Sequence, residues 1–137
     1  PDAALALAPL PSPAADWNAQ MLERTETLCR SGSFEVDLAA GRITMSSGLV
    51  RLLGLEPAQG DQPASLRLDE LSWVPPEERD YVSVIWRSAT PDEPFEFEHR
   101  VLTADGRRLV VLHRGVVQPG AAHGRRAPLV GVGMVQD

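Results

Sequence analysis

Cysteine is almost missing from these 137 residues: Cys29 is the only one. A lone thiol closes no disulfide within the chain and builds no zinc site of paired cysteines. A reducing cytoplasm is the simplest home for it. A basic excess is missing too. Thirteen Lys and Arg face nineteen Asp and Glu, a formal net charge of -6. A general nucleic-acid binder needs a basic face to displace counterions, so no nucleic-acid partner is expected. Long apolar runs are also lacking. The early run "AALALAPL" is too short to span a bilayer and contains Pro9. No basic leader precedes it, which argues against a signal peptide and against membrane contact by this part of the protein. What is present is ordinary for one domain with one core: 43% hydrophobic and 23% charged residues.

Residues 1–15, rich in Ala, Pro and Leu, read as a linker, because Pro9, Pro11 and Pro13 forbid a continuous helix. Asp16 then reads as an N-cap, and residues 16–31 as a flanking helix closed by Gly32. Trp17, Met21 and Leu28 share one face of it with Leu22 and Cys29 beside them, and Glu23, Arg24 and Glu26 take the wet side. "GSFEVDL" alternates Phe34 and Val36 against Glu35 and Asp37, as a half-buried strand does, and Arg42–Met45 returns beside it. Ser46 or Ser47 caps a short helix that Gly54 closes. Residues 56–65 compose a loop, and 66–73 one or two helical turns.

"WVPPEERDYV" sets two prolines before a charged run. Pro76 fits the first turn of a helix, where its missing N–H would be unpaired anyway, and it holds Pro75 extended. Glu77, Glu78 and Asp80 favour the positive end of the helix dipole. Val82, Ile85, Trp86 and Ala89 follow at helical spacing, so the helix runs from Pro76 to about Ala89. The last third is strands: residues 95–103, an Asp105-Gly106 turn, residues 107–117, a loop containing His123, and residues 128–136. This is an α+β chain of five strands with its helices between the second and third.

The motifs narrow the fold. "VPPEERDYV" resembles the helix-opening motif of PAS domains through Val74, Pro76, Glu77 and Arg79, with Pro75 in place of its His and Glu78 in place of its Asp. "FEFEHRVLTADGRRLVVLHRG" resembles the PAS hairpin through Glu98, Arg100, Asp105, Gly106, Arg114 and Gly115, with His99 where an aromatic is common and Val110 where Trp is. "LLGLEP" is similar to the end of the first PAS helix, and "GMVQD" to the family's closing motif. The resemblance covers residues 32–137. It implies a PAS-like five-stranded antiparallel sheet in the order 2-1-5-4-3, helices on one face and an N-terminal flanking helix. It further implies a non-catalytic sensor and dimerisation module of a bacterial signalling protein, relaying a signal to a histidine kinase or cyclic-di-nucleotide enzyme. The family's linker begins after the position of Asp137, so a longer parent protein is expected, one that can itself be membrane-anchored.

Site residues follow from that reading. An occupied pocket would be lined by Phe34, Val36, Leu53, Trp86, Phe97, His99 and Val111, with a small apolar ligand, haem or flavin as alternative occupants; the simpler expectation is a filled core with no cofactor and no metal. Haem needs an axial ligand, and the helix after Pro76, where haem-binding relatives often carry a His, has none. His99 shares its face with Phe95, Phe97 and Val101 and is expected buried; His113 is expected opposite Glu98 as a surface pair, and His123 solvated. A flavin–thiol adduct is not expected, because Cys29 lies before the first strand and the Asn-Cys-Arg motif is absent; Trp73 and Trp86 could stack on a flavin ring held non-covalently, but more simply pack the core. Glu77, Glu78 and Asp80 read as solvated helix-start carboxylates. Ser31, Ser33, Ser46 and Ser47 form no nucleophile elbow, and "GVG" no phosphate loop, so a small cavity enzyme is the least favoured reading. Trp17, Met21, Leu22 and Leu28 are the candidate contacts of a homodimer.

Overall fold

A computed structural model describes residues 12–57, 60, 62–68, 72–119 and 129–137. Residues 1–11 of the linker expected over 1–15, the loop with His123, and residues 69–71 lie outside the described residues, and residues 13–15 belong to the first helix instead. Three helices are described: α1 Pro13–Cys29, α2 Ser47–Leu53 and α3 Pro76–Arg87. Six strands make one antiparallel sheet: β1 Ser31–Asp37, β2 Arg42–Met45, β3 Ala64–Arg67, β4 Phe95–Leu102, β5 Arg108–Pro119 and β6 Leu129–Gln136. Their order is β3-β2-β1-β6-β5-β4. With β3 set aside, this is the expected order, first and last strands central.

Local chemistry explains the helix ends. The Ser46 hydroxyl accepts the Leu49 N–H at 3.2 Å and so caps α2, and Gly54, at φ 69°, closes it. The β4–β5 turn completes that end: Ala104 N–H donates to the Leu53 carbonyl at 2.8 Å, and the Arg107 guanidinium to the Leu52 carbonyl at 3.1 Å. These bonds occupy carbonyls that a helix end leaves open. Pro76 opens α3 with Pro75 extended before it. The core lies between α2 and the inner sheet face, where Phe34, Ile43, Met45, Leu49, Leu53, Val101, Val111 and Val135 are buried. Each such side chain contributes about 1.5–3 kcal/mol by leaving water.

The structure corrects several expectations. A sixth strand, β3, pairs with β2 (Ile43↔Leu66, Met45↔Ala64) where loop and helical turns were expected. The first helix begins at Pro13, not Asp16: the Ser12 side chain accepts the Ala15 N–H at 3.0 Å, and Pro13 sits where proline is tolerated. It ends at Arg30, in the left-handed region at φ 51°, so Gly32 belongs to β1 instead. Helix α3 stops at Arg87 rather than Ala89. His113 pairs with Phe97, not with Glu98. The β4–β5 loop brackets Ala104, Asp105 and Gly106 between bonded Thr103 and Arg107, one residue more than a tight two-residue turn. One residue reverses every face in the returning strand, so His113 points inward and is 2% exposed. Glu26, expected on the wet side, is the buried residue of α1.

Candidate functional site

A cavity of about 370 Å³ lies between α3 and the inner sheet face. Its walls are Phe34, Val36, Ile43, Trp73, Val74, Val82 and Trp86, with His99 and His113 at the sheet. The exposed residues Leu38, Leu68, Arg79, Ser83 and Arg87 form its rim. Glycines on the inner face make room for the aromatic rings there. Gly115 pairs with Gly133, and Gly131 lies two residues along β6. A Cβ on Gly115 or Gly131 would stand 2.7 Å from the Trp86 ring, and one on Gly133 2.5 Å from the Phe34 ring. The "GVG" of the last strand is thus a bare track under Trp86 and Phe34.

The histidines form one determined chain of hydrogen bonds. His99 Nδ1 lies 2.9 Å from the Arg100 carbonyl, which can only accept, so this nitrogen carries the proton. His99 Nε2 is then the acceptor of His113 Nδ1–H at 3.0 Å, and His113 Nε2 accepts the Trp86 indole N–H at 3.1 Å. All four ring nitrogens are committed with both rings neutral. Burial drives the His113 pKa down to about 3, the neighbouring His99 adding to it. Burial also lowers that of His99, outweighing its bond to the Arg100 carbonyl and the attraction of Glu78. Phe97 stacks on His113 with ring centroids 4.6 Å apart, and Phe34 meets it edge-on.

Of the expected pocket residues, Phe34, Val36, Trp86 and His99 line the cavity together. Leu53, Phe97 and Val111 are buried in the core but are not among its lining. Trp73 does line it, and its indole N–H is buried with no acceptor among the described residues. His113 was missed because its face hung on a loop count; Arg79 stood out only as part of the helix-opening motif, and Arg87 carried no signal beyond its place on α3. The donor set does not suit haem, since an iron would have to take a histidine nitrogen from an existing bond. Cys29 is exposed at the end of α1 and lines none of this cavity, so it does not suit a flavin adduct. Among the described residues, no three His, Cys, Asp or Glu gather as metal ligands.

Helix α1 is turned opposite to its composition. Trp17 is 58% and Leu28 85% exposed, Leu22 is exposed and Met21 half-buried, while Glu26 is 5% exposed. One Glu26 carboxylate oxygen accepts the hydroxyls of Ser33 at 2.9 Å and Ser46 at 3.0 Å. At its end, Arg30 pairs with Asp137 at 2.6 Å, and the Asp137 N–H donates to the Arg30 carbonyl.

No protein-family model matches the chain, and no curated protein does either. Solved structures do match it. A sensory box histidine kinase/response regulator from Burkholderia thailandensis superposes with a TM-score of 0.60 at 16% identity, over 85% of this chain and 82% of that one. The PAS domain of an HTR-like protein from Haloarcula marismortui gives 0.56 at 15% identity, over 90% and 97%. The N-terminal domain of a diguanylate cyclase with PAS/PAC sensor from Marinobacter aquaeolei gives 0.52 at 17%, over 78% and 94%. At these identities the likeness concerns the fold. This α+β module is an antiparallel sheet with a cavity under α3. Its fold is the PAS fold. Among the described residues no helix is long and apolar enough to cross a membrane.

Proposed function

We propose that this chain is a non-catalytic sensory and dimerisation module that relays a signal to an output domain, a histidine kinase or a cyclic-di-nucleotide enzyme. The observation that carries this reading is the apolar side of α1, left open while the Glu26 carboxylate is buried in the module. A helix held by a polar joint, with Trp17 and Leu28 outward, is built to meet a second surface. The route outward is short. Phe34 lines the cavity; its neighbour Ser33 donates to Glu26 on α1; and α1 ends on Arg30, paired with Asp137. A shift at the cavity wall reaches the dimer helix and the last residue through those bonds. The lone exposed Cys29 fits a reducing cytoplasm. Light scattering across a concentration series tests the reading: a dimer supports it, and a monomer at every concentration removes the assembly on which relay depends.

A second reading, a ligand-occupied sensor, is favoured by the cavity itself. Ligand sites are concave and mostly apolar with a few polar groups, and this half-open cleft of about 370 Å³ has that character. Native mass spectrometry of the purified chain shows a colourless ligand as added mass, and a visible absorption spectrum shows haem or flavin. A featureless spectrum with no added mass leaves the first reading alone.

A further inference from the structure

We infer that the cavity takes an amphipathic anion, an aryl or alkyl carboxylate whose apolar body lies under Trp86 and whose charged end meets one of the two rim arginines, Arg79 or Arg87. This rests on the ligand-sensor reading and names the chemistry of its occupant.

The argument is the sign of what is left uncommitted. Among the described residues, no Asp or Glu lines the cavity. Glu78, beside Arg79 in sequence, is turned to β4, where its carboxylate accepts the Arg100 N–H at 2.6 Å and faces the Arg100 guanidinium. The two histidines are neutral and closed, so they offer an entering molecule neither charge nor a free nitrogen. Arg79 and Arg87 each bind a backbone carbonyl through Nε, that of Val74 at 3.0 Å and that of Ser83 at 3.4 Å. Those bonds orient each guanidinium and leave its terminal nitrogens with no ion pair among the described residues. The Trp73 indole N–H, buried with no acceptor among the described residues, is a further donor in the lining. Ser83 adds a hydroxyl that can donate. A rim of free donors bearing two positive charges, in a chain of net charge -6, selects an acceptor-rich anion and rejects a cation. The apolar walls, with no free hydrogen-bonding nitrogen at the histidines, select a body without polar groups.

The test compares 4-phenylbutyrate with 4-phenylbutan-1-ol, of nearly equal shape and differing in charge, by calorimetric titration of the full 137-residue chain. The acid is expected to bind at least about tenfold tighter than the alcohol at low salt. In the double variant Arg79→Gln/Arg87→Gln the ratio should fall to about one while the alcohol keeps its affinity. Both arginines are exposed, so the variant keeps the fold. In a Trp17→Phe background the remaining indoles, Trp73 and Trp86, both line the cavity, and their emission should shift as the acid binds. Equal affinities in the parent chain, a preference that survives in the double variant, or binding without an emission shift would each overturn the assignment and leave the cavity reading standing. If neither compound binds at millimolar concentration, the ligand-sensor reading fails and takes this inference with it.

Discussion

His99 and His113 keep their hydrogen-bond chain only while both rings are neutral. A proton on His113 Nε2 removes the acceptor of Trp86, and one on His99 Nε2 sets two donors face to face. Their pKa values in the fold lie below the ordinary 6.5, that of His113 at about 3. In the unfolded chain the rings take up protons near 6.5, so the unfolded state binds more protons as pH falls below that value. The contribution to stability is therefore fully present above 6.5 and is lost toward about 3, on the order of a few kcal/mol for the coupled pair. Urea unfolding from about pH 7.5 to about pH 5, above most carboxylate titration, should show the unfolding free energy falling with pH. In His113→Gln that slope should flatten. An equal slope in both proteins would mean that the pair is not what titrates.

Glycine matters at the same scale. Gly131 faces inward, and Gly131→Ala sets a methyl 2.7 Å from the Trp86 ring. The ring must move, at a cost of about 1–3 kcal/mol for overpacking. Thermal unfolding should fall accordingly, and Trp86 emission should change in a Trp17→Phe background. Unchanged melting and emission would show that the track is not filled by Trp86. Sequence showed "GVG" only as a strand with blank positions, because the value of a missing side chain depends on the ring that crosses it from another element. His113 shows the same limit: its residue type was legible and its face was not, since the face turned on one residue in the β4–β5 loop.

Elements divide by how local their causes are. Helix α3 was legible at its start because Pro75, Pro76 and the carboxylates after them act within one turn. Helix α2 was legible from Ser46 and Gly54 for the same reason. Strand β3 was not, since four residues alternating Ala64 and Leu66 with Ser65 and Arg67 become a strand only by pairing with β2. For α1, periodicity set Glu26 with Glu23 and Arg24, and Met21 with Trp17 and Leu28, but the structure splits both groups, burying Glu26 and half-burying Met21 while the others stay exposed. The polar joint decides it: Glu26 accepts from Ser33 and Ser46, and Gly48 leaves room beside it, where a Cβ would stand 2.8 Å away. Glu26→Ala leaves both hydroxyls without this acceptor, at a cost of about 1–3 kcal/mol. Amide hydrogen exchange over residues 13–29 should accelerate while β5 and β6 stay protected. Glu26→Gln keeps one carbonyl oxygen for the two hydroxyls and should change exchange less. Protection of α1 unaltered in both variants would assign its attachment to other contacts.

At the scale of the whole molecule, two apolar surfaces are left open at once. One is the outward side of α1, with Trp17 and Leu28. The other is the outer face of the β5–β6 pair, where Val110 is 61% exposed, Val132 is exposed, and Leu112, Val116 and Met134 are half-buried beside them. Exposed singly, such residues need no explanation; together on one chain, a helix face and a sheet face are complementary in kind. A two-fold dimer in which each α1 crosses the partner's sheet covers both surfaces twice with one contact type. A stable interface buries roughly 1,200–2,000 Å² in total, which a helix of this length on a two-stranded face can supply from each copy. We therefore expect the intact chain to be a dimer by light scattering, and a chain beginning at Ser31 to be monomeric or to aggregate through its bared sheet. Val110→Glu and Val132→Lys place charge on this outer face, Val132→Lys opposite Glu35, so together they should weaken the dimer by at least about tenfold in Kd while costing the monomer little of its melting temperature. If the charged pair leaves the dimer intact but Trp17→Ala/Leu28→Ala dissolves it, the two α1 helices meet each other instead of the sheet. If the parent chain is monomeric at high concentration, both arrangements fail, and α1 does no more than its Glu26 joint requires of it.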